Sequence, residues 1–285
     1  MIKIKRYVPI AVWILVLTAM IASVAFTNVK QQEVLCKSVN VIIEDNGQYF
    51  VEASDVMQMI SSKAQQPVGK PVSLINTAVL EKCINANPFV ANAQIFLTID
   101  GIMHVKVMQR NPVMRIMTDN GESFYVDDQG IVMPLSDKYS SNVVVASGRL
   151  SGNLMKRKYT EMVFVPGDTS NNSKMPDQLY SIASCINRDS VFNALIEQIY
   201  VNQSGEIELI PRIGDQVILF GDAGNIESKF ANLLTFYKKG LNKIGWTNYS
   251  KINLKYDNQV VVEKRNGAEK EPVTSVVSAD SSQIN

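Results

Sequence analysis

The chain has 285 residues, 46% of them apolar, with 28 basic and 27 acidic side chains and one histidine. That length holds one large or two ordinary domains, each able to bury a core, and the near-zero net charge supplies no global field to draw in nucleic acid. Cys36, Cys83 and Cys185 are scattered, with no Cys-x-x-C and no neighbouring histidine, so no zinc site is expected and apolar packing must hold the fold; a single Cys83–Cys185 bridge stays open.

From Tyr7 to Val29 the chain carries no charge. As a helix rising about 1.5 Å per residue, this run reaches about 35 Å, enough for a hydrocarbon core of about 30 Å. Lys3, Lys5 and Arg6 precede it, and a short basic flank is normally retained in the cytoplasm. Residues 1–6 are therefore expected to be a cytoplasmic tail, 7–29 a transmembrane helix, and the remainder exported. The small residues Ser23-Val24-Ala25 leave a cleavable signal peptide as the alternative, although the apolar run outlasts an h-region of roughly 7–15 residues.

A polar linker over 30–37 leads into Ser38–Ile43, a β-branched strand closed by Glu44–Gly47. Ser54 is expected to cap a helix carrying Val56, Met57 and Ile60 at helical spacing. A second helix is expected to start at Ser73, with Leu74, Ala78, Leu80 and Ile84 along one side and Pro88 ending it. Ala93–Ile99 and Met103–Met108 then read as a hairpin turning at Asp100-Gly101, with Ile95, Leu97 and Ile99 on one face. The result is a βααββ module over residues 38–112.

Tyr125, Asp128, Gly130 and Pro134 mark two short strands around a tight turn. A buried strand ends at Gly148, and the stretch from Met175 gives a helix with Leu179, Ile182, Ala183 and Ile186 on one face. Three strands, Ile196–Asn202, Gly205–Pro211 and Gln216–Asp222, follow as an antiparallel meander. A last helix from Asn225 carries Ile226, Phe230, Leu233, Leu234, Tyr237 and Leu241 on one stripe. Two strands around Asp257-Asn258 close a second domain over 113–264. Residues 265–285, without aromatics and rich in Ser, Asp and Glu, are expected to be disordered.

A βααββ module behind a membrane anchor, with Asn87-Pro88-Phe89-Val90 after its second helix and a close at Val107, Arg110 and Pro112, resembles the POTRA domain of the FtsQ/DivIB cell-division family. Gln109 stands where that family usually has Glu, and Asp100-Gly101 replaces a frequent Trp-Pro. The Tyr125, Asp128, Gly130 and Pro134 run and the segment Ile252-Asn253-Leu254-Lys255-Tyr256 are similar to the family's second domain. The resemblance implies an α+β protein: a transmembrane helix, a POTRA domain, and a larger, mainly antiparallel β domain with flanking helices. It also implies an inner-membrane scaffold with a cytoplasmic N-terminus and periplasmic domains at the division septum. There it would hold FtsB/FtsL-type partners and other divisome components and help position septal peptidoglycan synthesis. A POTRA-containing envelope chaperone or assembly factor is the alternative, and an envelope enzyme a further one.

By the same resemblance, an FtsB-type partner adds a strand along the last strand of the second domain. The residues are Gln259, Val260, Val261, Val262 and Glu263, with Lys255 and Tyr256 in place of the family's Arg-Tyr pair. If that strand ends its sheet, its unpaired main-chain groups suit strand addition. Arg110 and Pro112 are expected to act on interdomain placement or recruitment more than on folding. No catalytic residue, metal ligand or cofactor is expected. His104 has no partners in sequence, no Gly-x-Ser-x-Gly elbow or Gly-rich phosphate loop occurs, Asp127-Asp128 reads as a solvated turn, and Lys238, Lys239 and Lys243 as helix surface.

Overall fold

The computed structural model describes residues 12–21, 34–63, 66–150, 175–241, 249–256 and 259–265. Residues 12–21 are helical, and among the described residues no helix is long and apolar enough to cross a membrane. The span predicted over 7–29 lies mostly outside them, as do the Asp257-Asn258 turn, Lys243 and nearly all of the tail. The chain divides into two compact units, Met1–Gln109 and Arg110–Asn285.

Unit 1 holds β1 (Ser38–Ile43), α1 (Ala53–Lys63), α2 (Thr77–Asn85), β2 (Val90–Leu97) and β3 (Ile102–Gln109). Its sheet runs β1-β3-β2, with β1 parallel and β2 antiparallel to β3. Alternation on β3 buries Met103, Val105 and Val107, and Val56, Ile60, Leu80 and Ile84 of the two helices are buried as well. The opposite face carries Phe96 stacked on His104 at 5.0 Å, so the lone histidine is half of a cross-strand aromatic pair.

Local chemistry shifts the predicted helix starts. α1 begins one residue before Ser54, and the Asp55 carboxylate accepts the Glu52 N–H at 2.9 Å, the returning half of a capping box. α2 is capped by Asn76, whose side chain accepts from the Val79 N–H at 3.2 Å, while Ser73 lies in a preceding single turn, Val72–Leu74. The hairpin is also longer than the two-residue turn expected. Gly101, at φ +87°, follows Ile99-Asp100 as a bulge residue, and the Thr98 N–H donates to the Ile102 carbonyl at 3.0 Å. This turn leaves Ile99 84% exposed rather than on the buried face.

Unit 2 is built on a nine-stranded sheet. Its strands are β4 (Pro112–Met117), β5 (Ser123–Asp127), β6 (Val132–Met133), β7 (Val144–Gly148), β8 (Ile196–Val201), β9 (Ile207–Pro211), β10 (Val217–Gly221), β11 (Tyr249–Asn253) and β12 (Val261–Lys264). They lie in the order β12-β11-β10-β9-β8-β7-β4-β5-β6. The helices are α3 (Met175–Arg188), α4 (Ser190–Leu195, a short helix absent from the sequence reading) and α5 (Ile226–Phe236), which continues into a π turn at Tyr237–Leu241.

The predicted meander β8-β9-β10 is antiparallel, but the sheet is more mixed than expected, because β7/β8, β10/β11 and β4/β7 are parallel. The chain between β7 and β8 includes α3 and α4, and that between β10 and β11 includes α5; helical crossovers return a strand in the same direction. The predicted face of α3 is buried, as are Ile226, Phe230, Leu233 and Tyr237 of the predicted α5 stripe; Leu234 is partly buried, and the Leu241 side chain lies outside the described ones. Leu179, Ile182, Ala183 and Ile186 join Ile226, Phe230, Leu233 and Tyr237 against Ile199, Leu209, Ile218 and Phe220. Phe230 packs on Phe192 at 4.5 Å and on Phe220 at 5.3 Å.

Candidate partner-binding edge

β12 ends the nine-stranded sheet, and among the described residues no strand pairs with its outer side. The strand is shorter than its sequence pattern, because Gln259 and Val260 precede it without joining the ladder. Its inner side is fixed by antiparallel pairing with β11, register Ile252↔Val262 and Asn253↔Val261. Val262, 5% exposed, is in the core and Val260 packs on that core, so one alternate set is structural. Val261 is half-buried and Glu263 exposed, its carboxylate 3.2 Å from the Lys251 ammonium directly opposite. A backbone acceptor edge therefore runs beside a surface of alternating apolar and charged side chains.

Lys255 and Tyr256 follow β11. The Leu254 N–H donates to the Leu219 carbonyl at 2.9 Å, and the Lys255 N–H donates to the Asn253 side chain at 2.9 Å, an Asx turn that ends β11. Tyr256 stands 51% exposed. The Lys255 ammonium is 2.9 Å from the Glu206 carboxylate, and that hydrogen bond pushes the lysine pKa up. Its charge is thus already engaged within the chain.

Gly221 makes the arrangement possible. At φ +83° it favours glycine, and a Cβ there would stand 2.9 Å from Lys255 Cγ. Gly221→Ala is expected to cost about 1–2 kcal/mol of stability from the left-handed backbone alone and to displace Lys255 from Glu206. Urea unfolding measures the first effect; an unchanged midpoint contradicts it.

Arg110 and Pro112 open unit 2. Pro112 is buried as the first residue of β4, paired with Asp127, a position where a strand tolerates the missing N–H. The Arg110 guanidinium donates to Asp127 at 2.7 Å, with the two side chains 8% and 1% exposed. Asp127 also accepts the N–H groups of Gln129 at 3.0 Å and Ile131 at 2.7 Å around the predicted turn. Asp127 is therefore a buried ion-pair member, and the solvated-turn reading holds only for exposed Asp128, whose carboxyl is raised by partial burial and then by the Asp127 charge.

Gln109 explains its departure from glutamate. Its amide donates to the Gln48 carbonyl at 2.7 Å and accepts the Val51 N–H at 2.9 Å, and a carboxylate could make only the second bond.

A cleft of about 540 Å³ in unit 2 is lined by Asp128, Tyr180, Cys185, Arg188 and Glu227 among others. Tyr180 donates to the Asp128 carbonyl at 2.7 Å. A lysine that the sequence reading missed, Lys229, is buried beside Phe220, 4.9 Å from its ring centroid, and donates to the Asp222 carboxylate at 3.0 Å. Its place on the α5 stripe, one residue before Phe230, was the available signal. The three cysteines are free thiols, so the Cys83–Cys185 bridge is not formed. Among the described residues no group of three or more His, Cys, Asp or Glu side chains could hold a metal ion.

Comparison with known proteins covers both units. Residues 111–263 match the family model described as FtsQ/DivIB, C-terminal related, and residues 34–108 match that of a POTRA-like domain. No match was found among curated proteins.

Proposed function

The chain belongs to the FtsQ/DivIB C-terminal related family, and from that premise we propose that it is a membrane-anchored scaffold of the cell-division machinery. A POTRA-like domain followed by an FtsQ/DivIB-like domain makes a division-related protein of a non-catalytic, scaffold-type family. In the proposed arrangement the N-terminal apolar run anchors the chain in the inner membrane, the N-terminus stays in the cytoplasm, and both units work in the periplasm at the septum. There the protein holds FtsB/FtsL-type partners beside other divisome components and helps position septal peptidoglycan synthesis.

One observation supports the partner assignment: β12 is a terminal strand of the sheet in the unit that matches the family, with no strand on its outer side among the described residues. A partner segment adding there in extended conformation gains main-chain hydrogen bonds along the edge. Selectivity comes from its alternate side chains against Val261 and Glu263. Tyr256 adds buried area beside the strand, the kind of exposed ring that becomes an interface anchor. Lys255, held by Glu206, gives that corner a fixed charge pair.

Binding of the full chain to an FtsB/FtsL-type pair tests the assignment. Tyr256→Ala is expected to weaken it by roughly tenfold, a loss of about 1.4 kcal/mol, with the unfolding midpoint unchanged. Equal affinity in the variant and the parent rejects Tyr256 as part of the site.

A further inference from the structure

Unit 1 carries an exposed apolar surface that its own core does not explain. Leu74 is 74% exposed, Ile99 84%, Leu35 49% and Val68 47%. These side chains come from three separate segments that meet at one end of the unit. Leu35 bridges Pro71, the Val72 N–H donates to the Val34 carbonyl at 2.9 Å, and the Lys37 N–H donates to the Gly101 carbonyl at 2.8 Å. A shallow hollow of about 180 Å³ opens there beside Leu74 and Val79. Lys70 lines the hollow; Lys37 lies beside the hairpin turn, whose carboxylate, Asp100, is held below its ordinary pKa first by a Thr98 hydrogen bond and also by the Lys37 charge.

The tether says what covers this surface. If the apolar run ends at Val29, five residues carry the chain to Val34, and a fully extended chain of that length spans at most roughly 17 Å. Val34 sits in the middle of the cluster, accepting from Val72 beside Leu35. The end that bears the exposed Leu and Ile side chains is then the end held against the bilayer. The opposite end, where Asn46 donates to the Gln109 carbonyl, lies a strand length away, about 20 Å at about 3.3 Å per residue.

We infer that the Leu35, Val68, Leu74 and Ile99 surface rests on the lipid surface, its side chains in the headgroup and upper acyl region and its lysines facing lipid phosphates. The inference rests on the proposed membrane anchoring. Exposed apolar patches of this kind mark interaction surfaces, and lysine rims suit anionic headgroups. Such a contact fixes the tilt of unit 1 and presents its far end, where the chain leaves at Gln109, away from the membrane.

Tryptophan quenching separates this inference from its premise. The full chain is reconstituted in phosphatidylethanolamine and phosphatidylglycerol vesicles with or without brominated acyl chains. With Trp246→Phe alone, Trp13 reports anchoring: quenching is expected, and its absence overturns both the anchor and the lipid contact. In a Trp13→Phe/Trp246→Phe background, Leu74→Trp and Ile99→Trp are each expected to lose intensity in brominated vesicles, while Tyr49→Trp at the opposite end is not. Both Leu74 and Ile99 are exposed, so either probe is compatible with the fold. A quenched Trp13 with both probes unquenched overturns the lipid contact while leaving the anchor intact, and would assign the surface to a protein partner instead.

Discussion

Replacing Arg110 with alanine is expected to lower the stability of unit 2 by about 3–5 kcal/mol, because it leaves a buried carboxylate without its counter-ion. Asp127 is 1% exposed and keeps only two backbone N–H donors once the guanidinium is gone. The sequence expectation is that Arg110 acts on interdomain placement or recruitment more than on folding; the buried ion pair predicts an effect on folding as well. A companion variant sharpens the test. Arg110→Met combined with Asp127→Leu removes both charges, and replacing a buried pair by apolar side chains is often close to neutral. The double variant is therefore expected to recover part of the loss, limited by the two N–H groups that Asp127→Leu leaves unpaired. Urea unfolding of the full chain reads both, and an Arg110→Ala protein as stable as the parent contradicts the account.

The second large effect is on binding. Val261 is the first residue of an edge strand, where proline is tolerated by the fold. Val261→Pro is expected to weaken binding of an FtsB/FtsL-type partner at least tenfold. The pyrrolidine ring obstructs an incoming strand at this edge. Far-ultraviolet circular dichroism is expected to stay unchanged. Val262→Ala is the contrasting variant: its side chain lies in the core, so it is expected to lower stability more than affinity. If Val261→Pro binds as the parent does, the partner does not add to this edge.

Much of this architecture is legible in the sequence, for physical reasons visible at particular residues. Ser38–Ile43 is read to the residue because β-branched side chains and a polar closure mark both ends. The buried stripes of α3 and α5 follow from helical spacing. Helix starts are harder, because several short polar side chains compete near each one: Glu52 with Asp55 prevails over Ser54, and Asn76 over Ser73. Strand partners are harder still. Period-two alternation tells which face of β11 is buried but not that β10 lies parallel beside it, a consequence of the helical crossover. At the candidate edge, the valine run reveals a strand, and the sheet order makes it terminal. The Lys255–Glu206 and Arg110–Asp127 pairs join residues far enough apart in sequence that no local pattern announces either one.

Amide hydrogen exchange across β12 tests the central claim most directly. The free protein is expected to exchange quickly at those amides of Val261–Lys264 that do not face β11, because among the described residues no strand pairs with that side. Saturation with an FtsB/FtsL-type partner is expected to slow those amides while the β11-facing ones, already bonded, change little. Saturated binding with β12 exchange unchanged, and protection appearing elsewhere on unit 2, would contradict strand addition at this edge.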